Sequence, residues 1–190
     1  MRSRPLEWGV SKLRGSDFET AIGWVNHVYD QQNIAIVTKV EVPSVTIKGQ
    51  KRYTQKTGFD YEGVICGSGR MVCIEAKESK DKLYIDFKGK SGLKIHQIHA
   101  LLKYGHAGCY SGVVWHHRDA QKTFFLDYKF LENFMSTKFD KKENGKGRIV
   151  KSVFLRHVEC ICPCIAVDGE LPDYLQKLDN SRQLLLGIRQ

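Results

Sequence analysis

Asp60 and, fifteen residues later, Glu75-Ala76-Lys77 supply two carboxylates and an ammonium at a spacing that a pair of strands can fold to one point. Such a trio can hold a divalent cation against a phosphodiester. Mg²⁺ prefers oxygen ligands, keeps several waters, and is commonly bound through one or two carboxylates plus the phosphate oxygens of a substrate. It lowers the pKa of a bound water that attacks phosphorus, and a lysine beside it orients that water or stabilises the developing charge. The same residues also fit a plainer role, two surface carboxylates with Lys77 as their salt-bridge partner. Burial separates these readings, because charges that close a two-sided apolar strand are costly unless they are paired or bind metal.

The elements around the trio decide whether it forms. Met71 to Lys77 reads as a strand, with Glu75 and Lys77 on one face and Val72, Ile74 and Ala76 on the other. Apolar residues on both faces predict a central strand. Phe59 to Cys66 is a second strand, joined to the first through Gly67-Ser68-Gly69. A two-residue type II′ loop at Gly67-Ser68 sets Cys66 against Gly69 and Asp60 opposite Glu75. An odd loop without a bulge would turn Asp60 to the wrong face.

Elsewhere the chain alternates helices and strands, which predicts an α/β fold with a mixed central sheet covered on both faces. Residues 1–14 carry Arg2, Arg4, Lys12 and Arg14 and read as a basic arm. Ser16 and Glu19 form a capping-box pattern for a helix whose stripe is Ala21, Ile22, Val25, Val28 and Tyr29. Ile34 to Val42 reads as a strand. The polar stretch 44–58, with Lys48, Lys51, Arg52, Tyr53 and Lys56, predicts a projecting loop or hairpin that reaches a phosphate backbone. Leu83 to Phe87 is a short strand. Ser91 can cap a helix to Tyr104 whose core face is Ile95, Ile98, Leu101 and Leu102, with Lys94 and Gln97 sharing another face. Strands are predicted at Cys109 to His116 and Thr123 to Tyr128, then a helix through Phe134, a basic loop from Lys138 to Lys151, one or two closing strands, and a helix near Tyr174 to Leu178.

With 190 residues and no Pro/Gly/Ser-rich linker, the chain reads as one domain. Thirty Lys and Arg against twenty-one Asp and Glu give a net charge of +9, which favours a polyanionic partner such as nucleic acid. No apolar stretch is long enough to span a membrane and no signal-peptide core opens the chain, so a soluble cytoplasmic protein is expected, in a bacterial cell or a phage-infected host. Its six cysteines are then expected to be reduced. Cys160, Cys162 and Cys164 are spaced more tightly than a zinc knuckle and read as strand-face thiols packed as small hydrophobes. His96 with His99, and His116 with His117, lack a complete metal set.

Arg14-Gly15 with Phe18-Glu19, Asp60-Tyr61-Glu62-Gly63-Val64, Ile74-Glu75-Ala76-Lys77-Glu78 and His96-Gln97-Ile98 together resemble the PD-(D/E)xK nuclease superfamily. The closer resemblance is to RecU-type Holliday junction resolvases, with kinship to the archaeal junction resolvases. It runs from about Arg14 to Phe134. The resemblance implies a restriction-endonuclease-like core, with the segment before Asp60 as a stalk. It also implies Mg²⁺, with Mn²⁺ able to substitute, held by Asp60 and Glu75, with Ala76 and Glu19 completing the metal set. Lys77 would assist the attacking water, and Gln97 would contact the active site or the scissile strand. Glu19 would reach the metal through a water or as a distant ligand, or would only cap its helix. Arg14 would hold a phosphate, with Lys48, Lys51, Arg52, Lys56 and Lys94 as further DNA contacts. The implied partner is a four-way DNA junction, the implied assembly a homodimer, and the implied product carries 5′-phosphate ends. Two rivals stay open, a nuclease of the same superfamily acting on linear duplex and a non-catalytic nucleic-acid-binding protein. Phe59 stands where the superfamily has its name-giving proline, and the part after Lys138 matches nothing in the pattern.

Overall fold

A computed structural model describes residues 15–47, 50–53, 57–86, 92–136, 142–144, 148–167 and 171–175. Helix α1 (Gly15–Gln31) leads into β1 (Ala35–Lys39). The hairpin β2 (Ser44–Ile47) and β3 (Gln50–Tyr53) follows as a separate two-stranded sheet, so the stalk-like segment is a hairpin. Then come β4 (Tyr61–Ile65), β5 (Met71–Ser79), β6 (Lys82–Asp86), β7 (Leu93–Lys94) and α2 (Ile95–His106). The chain continues with β8 (Tyr110–His117), β9 (Lys122–Asp127), α3 (Tyr128–Ser136), β10 (Lys142–Asn144), β11 (Arg148–Phe154), α4 (Leu155–Val158) and β12 (Cys164–Val167).

The central sheet has the order β1-β4-β5-β8-β9-β12, and β5 lies inside it as its two-sided apolar pattern requires. It is mixed: β5 runs parallel to β8 and antiparallel to β4. The alternation of β5 sorts its side chains between two cores. Val72 and Ile74 join Phe18, Ile22, Val25 and Tyr29 of α1 on one face. Cys73 joins Ile98 and Leu101 of α2 and Leu131 of α3 on the other. This mixed sheet flanked by helices is the α/β architecture expected of a restriction-endonuclease-like core.

Several local expectations are corrected. The helix already includes Gly15 and Ser16, so Ser16 is not its N-cap, and the carboxylate of Glu19 bonds Lys39 instead of its own helix. The second helix starts at Ile95, after a short strand at Leu93–Lys94; Ser91 lies outside the described residues. The segment 138–151 is not simply a loop, because β10 pairs with β11 and β11 with β6 in a second sheet. The cysteine run does not form one strand face: Cys160 and Cys162 precede β12, which begins at Cys164, and of the three only Cys162 is buried. Tyr174 and Leu175, the last described residues, form a turn, and the rest of the expected closing helix falls outside the described residues.

Candidate metal and nucleic-acid site

Tyr61 pairs with Ile74, Glu62 with Cys73, Gly63 with Val72 and Val64 with Met71. The ladder ends at Tyr61–Ile74, and Asp60, the next residue, donates its N–H to the Ile74 carbonyl instead of pairing squarely with Glu75. The turn that delivers it differs from the two-residue form. Residues 66–69 make a four-residue loop, with Ile65 N–H donating to the Arg70 carbonyl at 2.9 Å and Gly69 N–H to the Ile65 carbonyl at 2.9 Å. Gly67 and Gly69 carry φ of 77° and 68°, a region costly for residues with a Cβ. The loop is still even in length, so the faces are kept.

The strands part at Asp60, which places its carboxylate. Asp60 N–H donates to the Ile74 carbonyl at 3.0 Å, but its own carbonyl accepts from Val40 N–H at 2.8 Å. The next ladder donor on β5, Ala76 N–H, is therefore met by the Asp60 side chain, at 3.0 Å to Oδ2. Phe59 anchors the approach by packing in the core edge-on to Tyr104 of α2, with ring centroids 5.2 Å apart. At Gly58 an added Cβ would lie 2.5 Å from that of Ala100, so the segment passes α2 at a distance that needs glycine. Asp60 is thus preceded by a core aromatic that fixes it by packing.

Glu75 is fully buried. Its Oε1 accepts from Gln97 Nε2 at 2.5 Å and is ion-paired with Lys77. Gln97 is itself buried, and its Oε1 accepts from Lys94 N–H at 2.9 Å, so the start of α2 locks the amide orientation. Glu75 Oε2 is buried with no hydrogen-bond partner. Burial pushes the Glu75 carboxyl up to about 8, Lys77 pulls it down, and the nearby Asp60 charge pushes it up. Two carboxyl groups this close call for a shared proton or a cation.

The donor set fits a hard divalent ion. One Asp60 oxygen stays off the Ala76 amide, Glu75 Oε2 is orphaned, and Lys77 flanks them with 22% of its side chain exposed. Among the described residues no three His, Cys, Asp or Glu side chains converge to hold a metal. Mg²⁺ takes one or two protein carboxylates and fills its shell with water and phosphate oxygens. Ala76 lies between the carboxylates through its backbone, its amide being the one that Asp60 holds.

Glu19 is not brought into this cluster. It sits on α1, which covers the sheet face of Val72 and Ile74, whereas Glu75 opens toward α2. Lys39 at the end of β1 holds the Glu19 carboxylate at 2.6 Å, with both side chains more than half exposed. Tyr61 links the two regions: its hydroxyl donates to the Glu19 carbonyl at 3.4 Å, and burial, then Glu19 and Asp60, raise it to about 12. Lys39, unremarkable in sequence, is the cation that spacing did not single out. Its position at the end of a strand beside the Asp60 segment was the available signal.

Lys51 and Arg52 lie on β3, opposite Thr46 and Val45. Lys94 adjoins Gln97, and Arg14, Lys48 and Lys56 fall outside the described residues. His116 and His117 are structural. His116 stacks on Phe18 with centroids 5.4 Å apart, and burial, then His117 and Arg118, lower it to about 4. His117 Nδ1 accepts from Ala120 N–H at 3.1 Å, which leaves Nε2–H to donate to the Asp81 carbonyl at 3.0 Å. No described helix is long and apolar enough to cross a membrane.

Residues 13–175 match the family described as Recombination protein U, RecU. The chain is also 27% identical over 132 residues to proteins named Holliday junction resolvase RecU from Streptococcus equi subsp. zooepidemicus, strains MGCS10565 and H70. Those alignments cover 64% of this chain and 63% of each relative, so the match spans a little under two thirds of the relatives' length.

Proposed function

The chain belongs to the Recombination protein U (RecU) family, and on that premise we propose that it is a metal-dependent, structure-selective endodeoxyribonuclease that resolves Holliday junctions in recombination and repair. The observation that carries the reading is the Glu75 carboxylate, fully buried, with its Oε2 unpartnered and the Asp60 carboxylate near enough to push its pKa up. Asp60 and Glu75 would hold Mg²⁺ or Mn²⁺. Bound there, the ion would supply charge neutralisation on the scissile phosphate and an acidified water.

The protein's own groups do the rest. The Ala76 amide fixes Asp60, and Gln97, itself fixed by the Lys94 amide, holds Glu75 through Oε1 and leaves Oε2 for the ion. Lys77 reaches from Glu75 toward solvent, where its ammonium can orient the attacking water and offset charge developing on the phosphate. Attack on phosphorus with departure of the 3′ oxygen would leave 5′-phosphate ends. The β2–β3 hairpin, with Lys51 and Arg52 on β3, and the net charge of +9 would supply contacts to junction backbones. A homodimer would present two such sites to two strands of a two-fold junction.

Cleavage of a labelled four-way junction beside linear duplex of the same sequence tests the proposal, with Mg²⁺, Mn²⁺ or EDTA. Symmetric, metal-dependent nicking of the junction alone is expected. Equal cutting of both DNAs would instead mark a duplex nuclease, and binding without cutting would leave only a DNA-binding role.

A further inference from the structure

Both carboxylates of the site are supported from helix α2, and the two supports touch. Gln97, in the first turn of α2, holds Glu75 through Oε1, with its own amide fixed by Lys94 N–H. Ala100 and Tyr104 lie three and seven residues further along, on the same side of the helix. Against them runs the segment that leads into Asp60. Gly58 passes Ala100, and the Phe59 ring meets that of Tyr104 edge-on with centroids 5.2 Å apart. One helix therefore carries the partner of Glu75 and the surface against which Asp60 is set.

Glycine is needed at position 58 because of Ala100. Its φ is not among the positive ones, so the backbone conformation does not demand it. Apart from its chain neighbours, a Cβ built there would meet one heavy atom within 4 Å, the Ala100 Cβ, at 2.5 Å. That methyl cannot rotate away, and its helix is anchored on either side by the fully buried Ile98 and Leu101. An added methyl at 58 must then move one support. An outward shift of residues 58–59 draws Asp60 from the Ala76 amide that it holds at 3.0 Å, whereas a shift of α2 draws Gln97 from Glu75. In either case the separation of the two carboxylates changes.

We propose that Gly58 and Ala100 are paired positioning residues: their close contact sets the separation of the Asp60 and Glu75 carboxylates, and so the fit of a divalent cation that neither residue touches. The cation itself rests on the nuclease reading above, so the test includes a readout of the metal-free protein.

The full chain is made as Gly58→Ala, as Ala100→Gly and as the double variant. Each is followed by NMR without metal at the Ala76 backbone amide and the Gln97 side-chain amide, titrated with Mn²⁺, and assayed on a four-way junction. In Gly58→Ala at least one of the two amide signals is expected to shift, with Mn²⁺ affinity and cleavage each reduced about tenfold or more. Ala100→Gly removes the opposing methyl, so adding Gly58→Ala to it should cost nothing further in any of the three readouts. A purely structural contact would lower stability in urea and leave the Mn²⁺ affinity of the folded protein unchanged, and that result would overturn the proposal. So would unshifted amide signals, or a loss on adding Gly58→Ala to Ala100→Gly as large as in the natural sequence. If Gly58→Ala alone does not fold, Tyr104→Leu, which loosens the same segment through Phe59, takes its place with the same expected losses, and the double variant must still match Ala100→Gly. If the natural sequence cuts no DNA in any divalent metal, the nuclease reading fails, while the amide signals and the Mn²⁺ titration still judge the pair.

Discussion

Two buried polar clusters, one on each face of the central sheet, are completed in opposite ways. Under α1, Tyr29 donates to Asp173 at 2.6 Å and accepts from Leu175 N–H at 3.1 Å, Tyr110 donates to the Tyr174 carbonyl at 2.5 Å, and Tyr174 donates to Asn26. These four bonds tie the end of the described chain to α1 and β8, and they give each of the three buried tyrosine hydroxyls a partner. Under α2, Glu75 is equally buried yet keeps one oxygen unpaired and faces a second carboxylate. Folding alone gains nothing from that arrangement, since an unsatisfied buried polar atom costs about 1–3 kcal/mol. The tyrosine cluster is a structural tie, and the carboxylate cluster is poised for a ligand.

Substitution at the second face should break function before fold. Asp60→Asn or Glu75→Gln is expected to lower junction cleavage by about 10³-fold or more, roughly 4 kcal/mol of transition-state stabilisation, while the circular dichroism spectrum stays native. Gln97→Ala, which frees Glu75 without removing a carboxylate, should cost about 10–100-fold in cleavage or metal affinity. The first face should behave in reverse. Tyr174→Phe strands the Asn26 acceptor and is expected to lower unfolding stability by about 1–3 kcal/mol, read by urea denaturation, with cleavage by the folded fraction unchanged.

Titration sharpens the same contrast. The folded-state value of Glu75 lies at about 8 against an ordinary 4.5, so between these pH values the folded protein binds a proton that the unfolded chain has lost. Stability of the metal-free protein should therefore be greatest at the acid end of this window and fall as pH rises toward 8. Glu75→Gln should flatten that slope, as thermal melts across the window would show. The smallest effect is expected at the exposed Glu19–Lys39 pair, where Glu19→Gln should change stability by less than about 1 kcal/mol.

What the sequence disclosed follows from how local the cause is. The alternation of Met71 to Lys77 and the glycines at 67 and 69 fix faces and register within twenty residues, so the antiparallel pairing of β4 with β5 was readable. The detailed turn was not, because two- and four-residue loops conserve the same parity. The pairing of β11 with β6 joins residues more than sixty positions apart, and a Lys- and Gly-rich stretch carries no local mark of such a partner. Gln97 entered only through resemblance. Its spacing from Lys94 suggested a shared helix face, whereas the structure buries it because the start of α2 abuts Glu75. Glu19 shows the converse: its place in the motif order suggested the metal, but α1 covers the other sheet face.

The central claim is that the Asp60–Glu75 pair takes a divalent cation in place of a proton. Isothermal titration of Mn²⁺ into the protein at pH 7, in buffers of differing ionisation enthalpy, tests it most directly. The account predicts binding that releases about one proton and is lost in Glu75→Gln. Equal affinity in the two proteins, or binding with no proton release, would contradict it.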